Sequence, residues 1–310
     1  MLKHRKFPNF EVIKRKVMNR KTFLKKLALG SAAAAALPVM SNQDTPLPKE
    51  STYERLMQRV GFNHLPPTQT PPQMKTVYHP SNSRGHANHG WLNSHHSFSF
   101  ANYYNPERMH FGVLRVLNDD VVAPGKGFGT HPHDNMEIIS IPLEGDLEHK
   151  DSMGNVAVIR QGDVQVMSAG TGIYHSEYNR NNHQPVKFLQ IWVFPHTKNV
   201  APRYDQIPIA TLRKPNSFYQ ILSPSPDDQG VWIHQNAWFF MGEFDAGHEE
   251  QYRIQQGGNG AYLFVLEGSV SVGQQTLHAR DGLGIWDTQT FKLSASTNAR
   301  VLLMDVPMVL

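Results

Sequence analysis

The stretch Gly125-Lys126-Gly127-Phe128-Gly129-Thr130-His131-Pro132-His133, followed further on by Gly170-Thr171-Gly172-Ile173-Tyr174-His175-Ser176-Glu177, decides how this chain is read. Each half carries an i, i+2 pair of metal-ligating residue types, His131/His133 in the first and His175/Glu177 in the second. On a β-strand, residues i and i+2 point to the same face, so each pair can aim two donor atoms at one point. Pro132 helps, because the residue before a proline is pushed to extended geometry. One His-x-His is weak evidence in a chain with 17 histidines. Two same-face pairs, both inside glycine-punctuated strand patterns, point to a metal site. Three imidazoles and one carboxylate suit one divalent first-row ion such as Fe(II), Mn, Ni, Cu or Zn. The chain has no cysteine, so disulfides and thiolate ligands are excluded and any site must be built from nitrogen and oxygen.

Working outward, short apolar or alternating runs fill the sequence on both sides of these pairs. They fall at 77–78, 98–100, 112–117, 137–142, 156–159, 164–167 and 188–194, separated by Gly and Pro signals and by the turn chemistry of Asn118-Asp119-Asp120 and Ser152-Met153-Gly154-Asn155. A second series follows at 218–222, 231–234, 238–243, 252–254, 261–267, 270–272, 275–278, 283–286 and 300–306. Spacing of this kind predicts an all-β sandwich or barrel. Leu143-Glu144-Gly145 with Gly162-Asp163 has a counterpart in Leu266-Glu267-Gly268 with Asp281-Gly282, which implies two copies of one fold. The second copy has neither a His-x-His nor a His-x-Glu pair, and His234, His248 and His278 stand alone. It is therefore expected to be metal-free, serving packing, substrate closure or partner contact.

The N-terminal part reads differently. Residues 1–41 form a targeting segment, with a basic start (Arg20, Lys21, Lys25, Lys26) before an Ala-rich apolar run over 27–40 that is too short to span a bilayer comfortably. Met18 is a candidate for the true start. Residues 42–73 are a linker in which Pro46, Pro48, Pro66, Pro67, Pro71 and Pro72 break any regular ladder, with one or two helical turns over 53–60. The formal charge of +4 is misleading, because residues 1–26 hold ten Lys or Arg against one Glu. The rest holds 20 basic and 25 acidic residues, and a mildly acidic body does not suggest a nucleic-acid partner. The body then divides into an N-terminal metal-binding domain over 74–207 and a C-terminal metal-free domain over 208–310.

The quoted residues also carry a resemblance. Gly125, His131-x-His133 and Glu137 resemble the first cupin motif, and Gly162-Asp163, Gly170, His175 and Asn179 resemble the second. More specifically, Thr130-His131-Pro132-His133, Met136-Glu137-Ile138-Ile139-Ser140, Leu147-Glu148-His149-Lys150-Asp151-Ser152-Met153-Gly154 and His175-Ser176-Glu177-Tyr178-Asn179 are similar to bacterial members of the pirin family, over roughly 74–310. That resemblance implies a bicupin of two tandem antiparallel β-barrels. It implies one iron site in the first barrel, held by His131, His133, His175 and Glu177. It also implies a quercetin dioxygenase-like activity on a small aromatic substrate with dioxygen. Family members in eukaryotes are associated with transcription partners, so a metal- or redox-sensing binding protein is the alternative. An oxygen-independent isomerase or decarboxylase is a third.

Two carboxylates compete for the remaining roles. Glu177 follows His175 on the same face. Glu137 shares the parity of His133 and holds the position that supplies a ligand in many other cupins. The resemblance favours Glu177 as ligand and leaves Glu137 as an acid orienting a histidine or facing substrate. Either is a candidate catalytic base. Phe111, Met136, Met167 and Gln190 are candidate cavity residues, with core packing the favoured reading for the phenylalanine and the two methionines. His95 and His96 point to opposite faces and are expected to be structural, as are the five tryptophans. Finally, Asn19-Arg20-Lys21-Thr22-Phe23-Leu24-Lys25 resembles a twin-arginine signal with lysine at the second position. It predicts export to the periplasm with no stable membrane span in the mature chain. A cytoplasmic protein with a short N-terminal helix is the alternative.

Overall fold

A computed structural model describes residues 73–310; the targeting segment, and the linker as far as residue 72, lie outside the described residues. The described chain is almost entirely β. Its helical elements are three short 3-10 turns, at Ser81–Ser83, Pro106–Arg108 and Ile209–Thr211. No helix among the described residues is long and apolar enough to cross a membrane.

The first barrel is built from β2 (Gly85–Asn88), β3 (Leu92–His96), β4 (Leu114–Val122), β5 (Gly127–His133), β6 (Glu137–Glu144), β7 (Leu147–Asp151), β8 (Val156–Ile159), β9 (Asp163–Ser168), β10 (Ile173–Asn179), β11 (Val186–Val193) and β12 (Arg203–Pro208). Seven of these form one sheet in the order β12-β9-β6-β11-β4-β3-β2, and the four-stranded sheet β5-β10-β7-β8 closes the barrel. The second barrel uses β13 (Phe218–Ser223), β14 (Val231–Trp232), β15 (Trp238–Phe244), β16 (Glu249–Arg253), β17 (Asn259–Glu267), β18 (Ser269–Val272), β19 (Gln275–His278), β20 (Gly282–Trp286), β21 (Thr290–Ala295) and β22 (Ala299–Pro307). Its small sheet runs β16-β21-β18-β19. The repeated Leu-Glu-Gly marks equivalent turns: Gly145 leaves β6 and Gly268 leaves β17, both at φ +74°, a left-handed conformation that glycine adopts without steric cost.

The two large sheets pack back to back. One buried cluster draws Leu117, Ile139, Ile141, Val166 and Ile191 from the first barrel and Tyr219, Ile221, Phe239, Phe264 and Met304 from the second. Strands β6 and β17 are therefore buried on both faces over most of their length, which is why both are rich in apolar residues, β6 being interrupted by the buried Ser140. The second barrel's interior is mostly apolar, filled by Phe244, Tyr252, Leu263, Phe291, Leu293, Leu303 and their neighbours, with the buried carboxylate of Asp305 accepting from Tyr252 Oη at 2.8 Å. The first barrel has only small apolar clusters, around Phe188 and around Met167. Polar side chains fill the space between.

One strand crosses over. Lys75–His79 (β1) lies in the sequence segment 74–207 yet pairs antiparallel with β20, from Lys75↔Trp286 to His79↔Gly282. It covers what would otherwise be a free edge of the second barrel's large sheet. Asp281 fixes the crossing, accepting from Tyr78 Oη at 2.8 Å and from the Ser81 backbone N–H at 2.7 Å. Gly284 on β20 leaves room for Phe111 and Val77: a Cβ there would lie 2.5 Å from Phe111 Cε2 and 2.9 Å from Val77 Cγ1. Gly284→Ala should therefore lower stability by about 1–3 kcal/mol through overpacking. An unchanged urea midpoint would mean that Phe111 and β1 yield freely.

Several expectations change here. The run 98–100 is not a strand: Phe98 is buried in the core between the barrels, and the chain turns at Ala101 with φ 48°. The neighbouring strands β2 and β3 carry His86, His95 and His96 instead. Phe111, by contrast, has its favoured place in the core between the barrels, where its ring lies against β20.

Candidate metal centre

Strands β5 and β10 pair antiparallel, with His175 opposite His131 and Ile173 opposite His133. Cross-strand partners share a face, so the three imidazoles enter the barrel together. One nitrogen from each of His131, His133 and His175 lies within 4.8 Å of the others. The ring centroids are 4.4 Å (His131–His175), 4.9 Å (His131–His133) and 4.9 Å (His133–His175) apart. A register shift follows, with Glu177 opposite Phe128, so that β5 carries an extra residue between the two pairs. Such bulges re-aim side chains near functional sites. Here the bulge turns Phe128 inward, where it packs edge-on to Trp91 at 5.4 Å.

The nitrogens are left open for an ion. His131 Nδ1 hydrogen bonds the Gly129 carbonyl oxygen at 2.7 Å. A carbonyl only accepts, so Nδ1 carries the proton and Nε2 keeps its lone pair. His133 Nε2 and both ring nitrogens of His175 are buried without a hydrogen-bond partner. Buried polar atoms are normally paired, and His133 Nε2 and one ring nitrogen of His175 instead offer free lone pairs to the point that His131 also faces. Burial pushes His133 down to about 4 and His175 further, with the neighbouring histidines adding to the effect. Both rings are therefore neutral near pH 7, the form that ligates a metal. These residues fit a divalent ion.

Glu177 shares the buried face of β10 with His175. Its Oε1 accepts from Ser140 Oγ at 2.9 Å and its Oε2 from Gln190 Nε2 at 2.7 Å, and it is not one of the three residues whose donor atoms cluster. Burial raises its carboxyl to about 7, against the pull of those two donors. Behind His175 stands His149, ring centroids 5.4 Å apart, held by Asp151 Oδ2 at 3.0 Å.

Glu137 lies elsewhere. On β6, Ser140 reaches Glu177 inside the barrel, whereas Ile139 and Ile141 belong to the core between the barrels. Glu137 shares parity with the latter pair and faces the second barrel. Its Oε2 accepts from Ser168 Oγ at 2.6 Å. Burial raises it to about 7, with Ser168, Arg203 and the His234 backbone N–H pulling it back. The expectation that Glu137 faces substrate or a ligating histidine does not hold. Its parity relative to His133 is reset in the turn between β5 and β6, where Asn135 is left-handed at φ 45°.

The cavity beside the histidines has a volume of about 120 Å³. His131 and Glu177 line one side, and Gln190, Trp192, Asp120 and His96 line the other. Gln190 thus faces the cavity as expected from sequence, whereas Met167 is packed at the barrel's end. Trp192, expected to be core, stands edge-on to His133 at 4.9 Å, and His96, expected to be structural, also faces the cavity. Asn118-Asp119-Asp120 reads as a turn in the sequence, but all three residues lie within β4 and pair with β3 and β11. The available signal was the i, i+2 pair Asn118/Asp120 within an otherwise apolar strand, two polar residues on the face that β4 turns inward.

Comparison with known proteins agrees with this geometry. The Pirin family model matches residues 77–193, and a second model, the quercetinase C-terminal cupin domain, matches 220–306. The chain is 42% identical over 235 residues to an Escherichia coli K12 protein named quercetin 2,3-dioxygenase, covering 74% of this chain and 97% of that one. It is 39% identical over 227 residues to a pirin-like protein of Caulobacter vibrioides, covering 73% and 97%. Among solved structures, the bacterial pirin YhhW of E. coli in complex with nickel(II) superposes with a TM-score of 0.72 at 40% identity, covering 76% of this chain and all of that one. With both barrels matched by family models and the histidine cluster inside the first, the chain belongs to the pirin family.

Proposed function

We propose that this protein is a metal-dependent dioxygenase acting on a flavonol-like or other enolisable aromatic substrate, with iron(II) as its ion. The observation that carries the reading is the convergence of three imidazoles, those of His131, His133 and His175, on one point beside a buried carboxyl and a small cavity. The names of its relatives support the reaction class. A bound divalent ion supplies Lewis acidity, lowering the pKa of a hydroxyl that reaches it.

The chain's own residues do the rest. Glu177, poised near neutrality by burial, is assigned the proton of the substrate hydroxyl. Its two oxygens are held by different donors, Ser140 and Gln190, so one can complete the ligand set while the other takes the proton. Trp192, Phe100 and Phe128 line the cavity and keep water from the resulting enolate. Glu137 has no part in this step, since it faces the other barrel. Export by the route that Arg20 and Lys21 suggest is proposed on sequence alone.

Oxygen uptake tests the reading. Iron-loaded protein should consume oxygen with quercetin, and Glu177→Gln should lower kcat by about 10²–10⁴, the usual worth of a general base. No uptake with any flavonol, at a full metal complement, would sink the dioxygenase reading. Conversion of substrate without oxygen would favour the isomerase or decarboxylase alternative.

A further inference from the structure

The cavity has a second polar wall that the reaction outlined above does not use. His131 and Glu177 come from the small sheet, on β5 and β10, whereas Asn118 and Asp120 come from β4 in the large sheet. The two groups therefore face each other across the space between packed sheets, roughly 10 Å from backbone to backbone. Asp120 is only 3% exposed. One of its oxygens takes the Ser94 hydroxyl, and the other has no hydrogen-bond donor among the described residues. Among the described residues no cation pairs with it. Arg84 and Arg280 go instead to Asp119, at 3.2 Å and 3.5 Å, on the opposite face of β4. Asn118 Oδ1, on the same face as Asp120, is buried and likewise without a donor. Two acceptors with nothing to accept, side by side in one cavity wall, call for a ligand that donates.

The cavity's size narrows the ligand. Its volume of about 120 Å³ is well under the roughly 300 Å³ at which pockets for drug-sized ligands begin. We propose that Asp120, seated by Ser94 and assisted by Asn118, anchors a hydroxyl on the end of the substrate remote from the histidine cluster. The cavity thereby selects a single hydroxylated ring, either a small polyphenol or one ring of a larger molecule. This rests on the preceding reading only in that the cavity is taken as the substrate site. Asp120 would act as a specificity residue, holding the ring in place while Glu177 handles its proton.

Anaerobic calorimetric titration of the metal-loaded protein with catechol and with 1,2,4-trihydroxybenzene tests this without turnover. The two probes differ by one hydroxyl remote from the adjacent pair. The unmutated protein should bind the triol about tenfold tighter, the worth of one hydrogen bond to a buried carboxyl. Asp120→Leu should bring that ratio to about one while leaving metal content unchanged. Ser94→Ala, a smaller change that also guards against misfolding of the first variant, should reduce the ratio severalfold. A ratio near one in the unmutated protein, or an undiminished ratio in both variants, overturns the assignment. Oxygen uptake is scored separately: triol selectivity that depends on Asp120 but without uptake would leave the anchor standing and remove the dioxygenase, and uptake with no selectivity would do the reverse.

Discussion

His175→Ala is expected to yield folded protein that no longer retains metal. His175 is 2% exposed, neither of its ring nitrogens has a partner, and its ring lies within 5 Å of the rings of both other histidines. Loss of an outer hydrogen-bond partner of a metal-bound histidine already costs roughly 10–100-fold in affinity, so losing the ligand itself should cost at least about a hundredfold. Elemental analysis after chelator-free purification reads this directly. Thermal unfolding gives an independent readout. The unmutated protein should gain about 2.7 kcal/mol when free metal is at a hundred times its dissociation constant, whereas the variant should gain nothing. Without metal the two proteins should be similarly stable, because the substitution removes two orphaned buried nitrogens along with some packing. His95→Ala is the control, since His95 stacks on His86 and belongs to no metal-ligating cluster among the described residues. Full metal retention by His175→Ala would displace the centre from the β5–β10 pair altogether.

Glu137→Gln should make the protein more stable at pH 8 and leave its metal untouched. Glu137 is 1% exposed, and burial raises its carboxyl from an ordinary value of 4.5 to about 7. A carboxyl with a raised folded-state pKa binds more protons in the folded state than in the unfolded state between these two values. Its contribution is therefore complete below pH 4.5 and is lost as pH rises to 7 and beyond. At 1.36 kcal/mol per unit, that loss amounts to about 3 kcal/mol. Glutamine keeps the shape of the protonated acid but cannot ionise. Stability of the variant should match the unmutated protein near pH 5 and exceed it at pH 8 by about 2–3 kcal/mol, or several degrees in Tm. Parallel stability curves for the two proteins across this range would show that Glu137 is not the buried acid described here. A loss of metal in this variant would return Glu137 to the ligand set.

Some of this was legible in the chain because the physics was local. The pairs His131/His133 and His175/Glu177 required only the two-residue period of a strand, and the repeated Leu-Glu-Gly required only that equivalent turns need equivalent glycines. Glu137 was misplaced because parity was carried from His133 across a turn, and one left-handed residue there is enough to decouple the faces of successive strands. Asp120 read as a turn residue and Ser94 drew no attention, because the wall they form depends on β3 lying beside β4 and facing β5 and β10, a matter of sheet order rather than spacing. The crossing of β1 was hidden for the same reason: Lys75–His79 has the composition of any edge strand, and nothing in it names its partner.

That crossing has a consequence for how such proteins can be recombined. The junction between the two repeated halves of the sequence is not the junction between the two barrels. A chimera joined at residue 207 or 208 would inherit β1 from one parent and β20 from the other, with Tyr78 meeting an unfamiliar Asp281 turn and Val77 an unfamiliar glycine pocket. The natural unit of exchange for the second barrel is a discontinuous module, residues 75–79 together with the C-terminal half. The metal-bearing half is correspondingly threaded between two pieces of its neighbour.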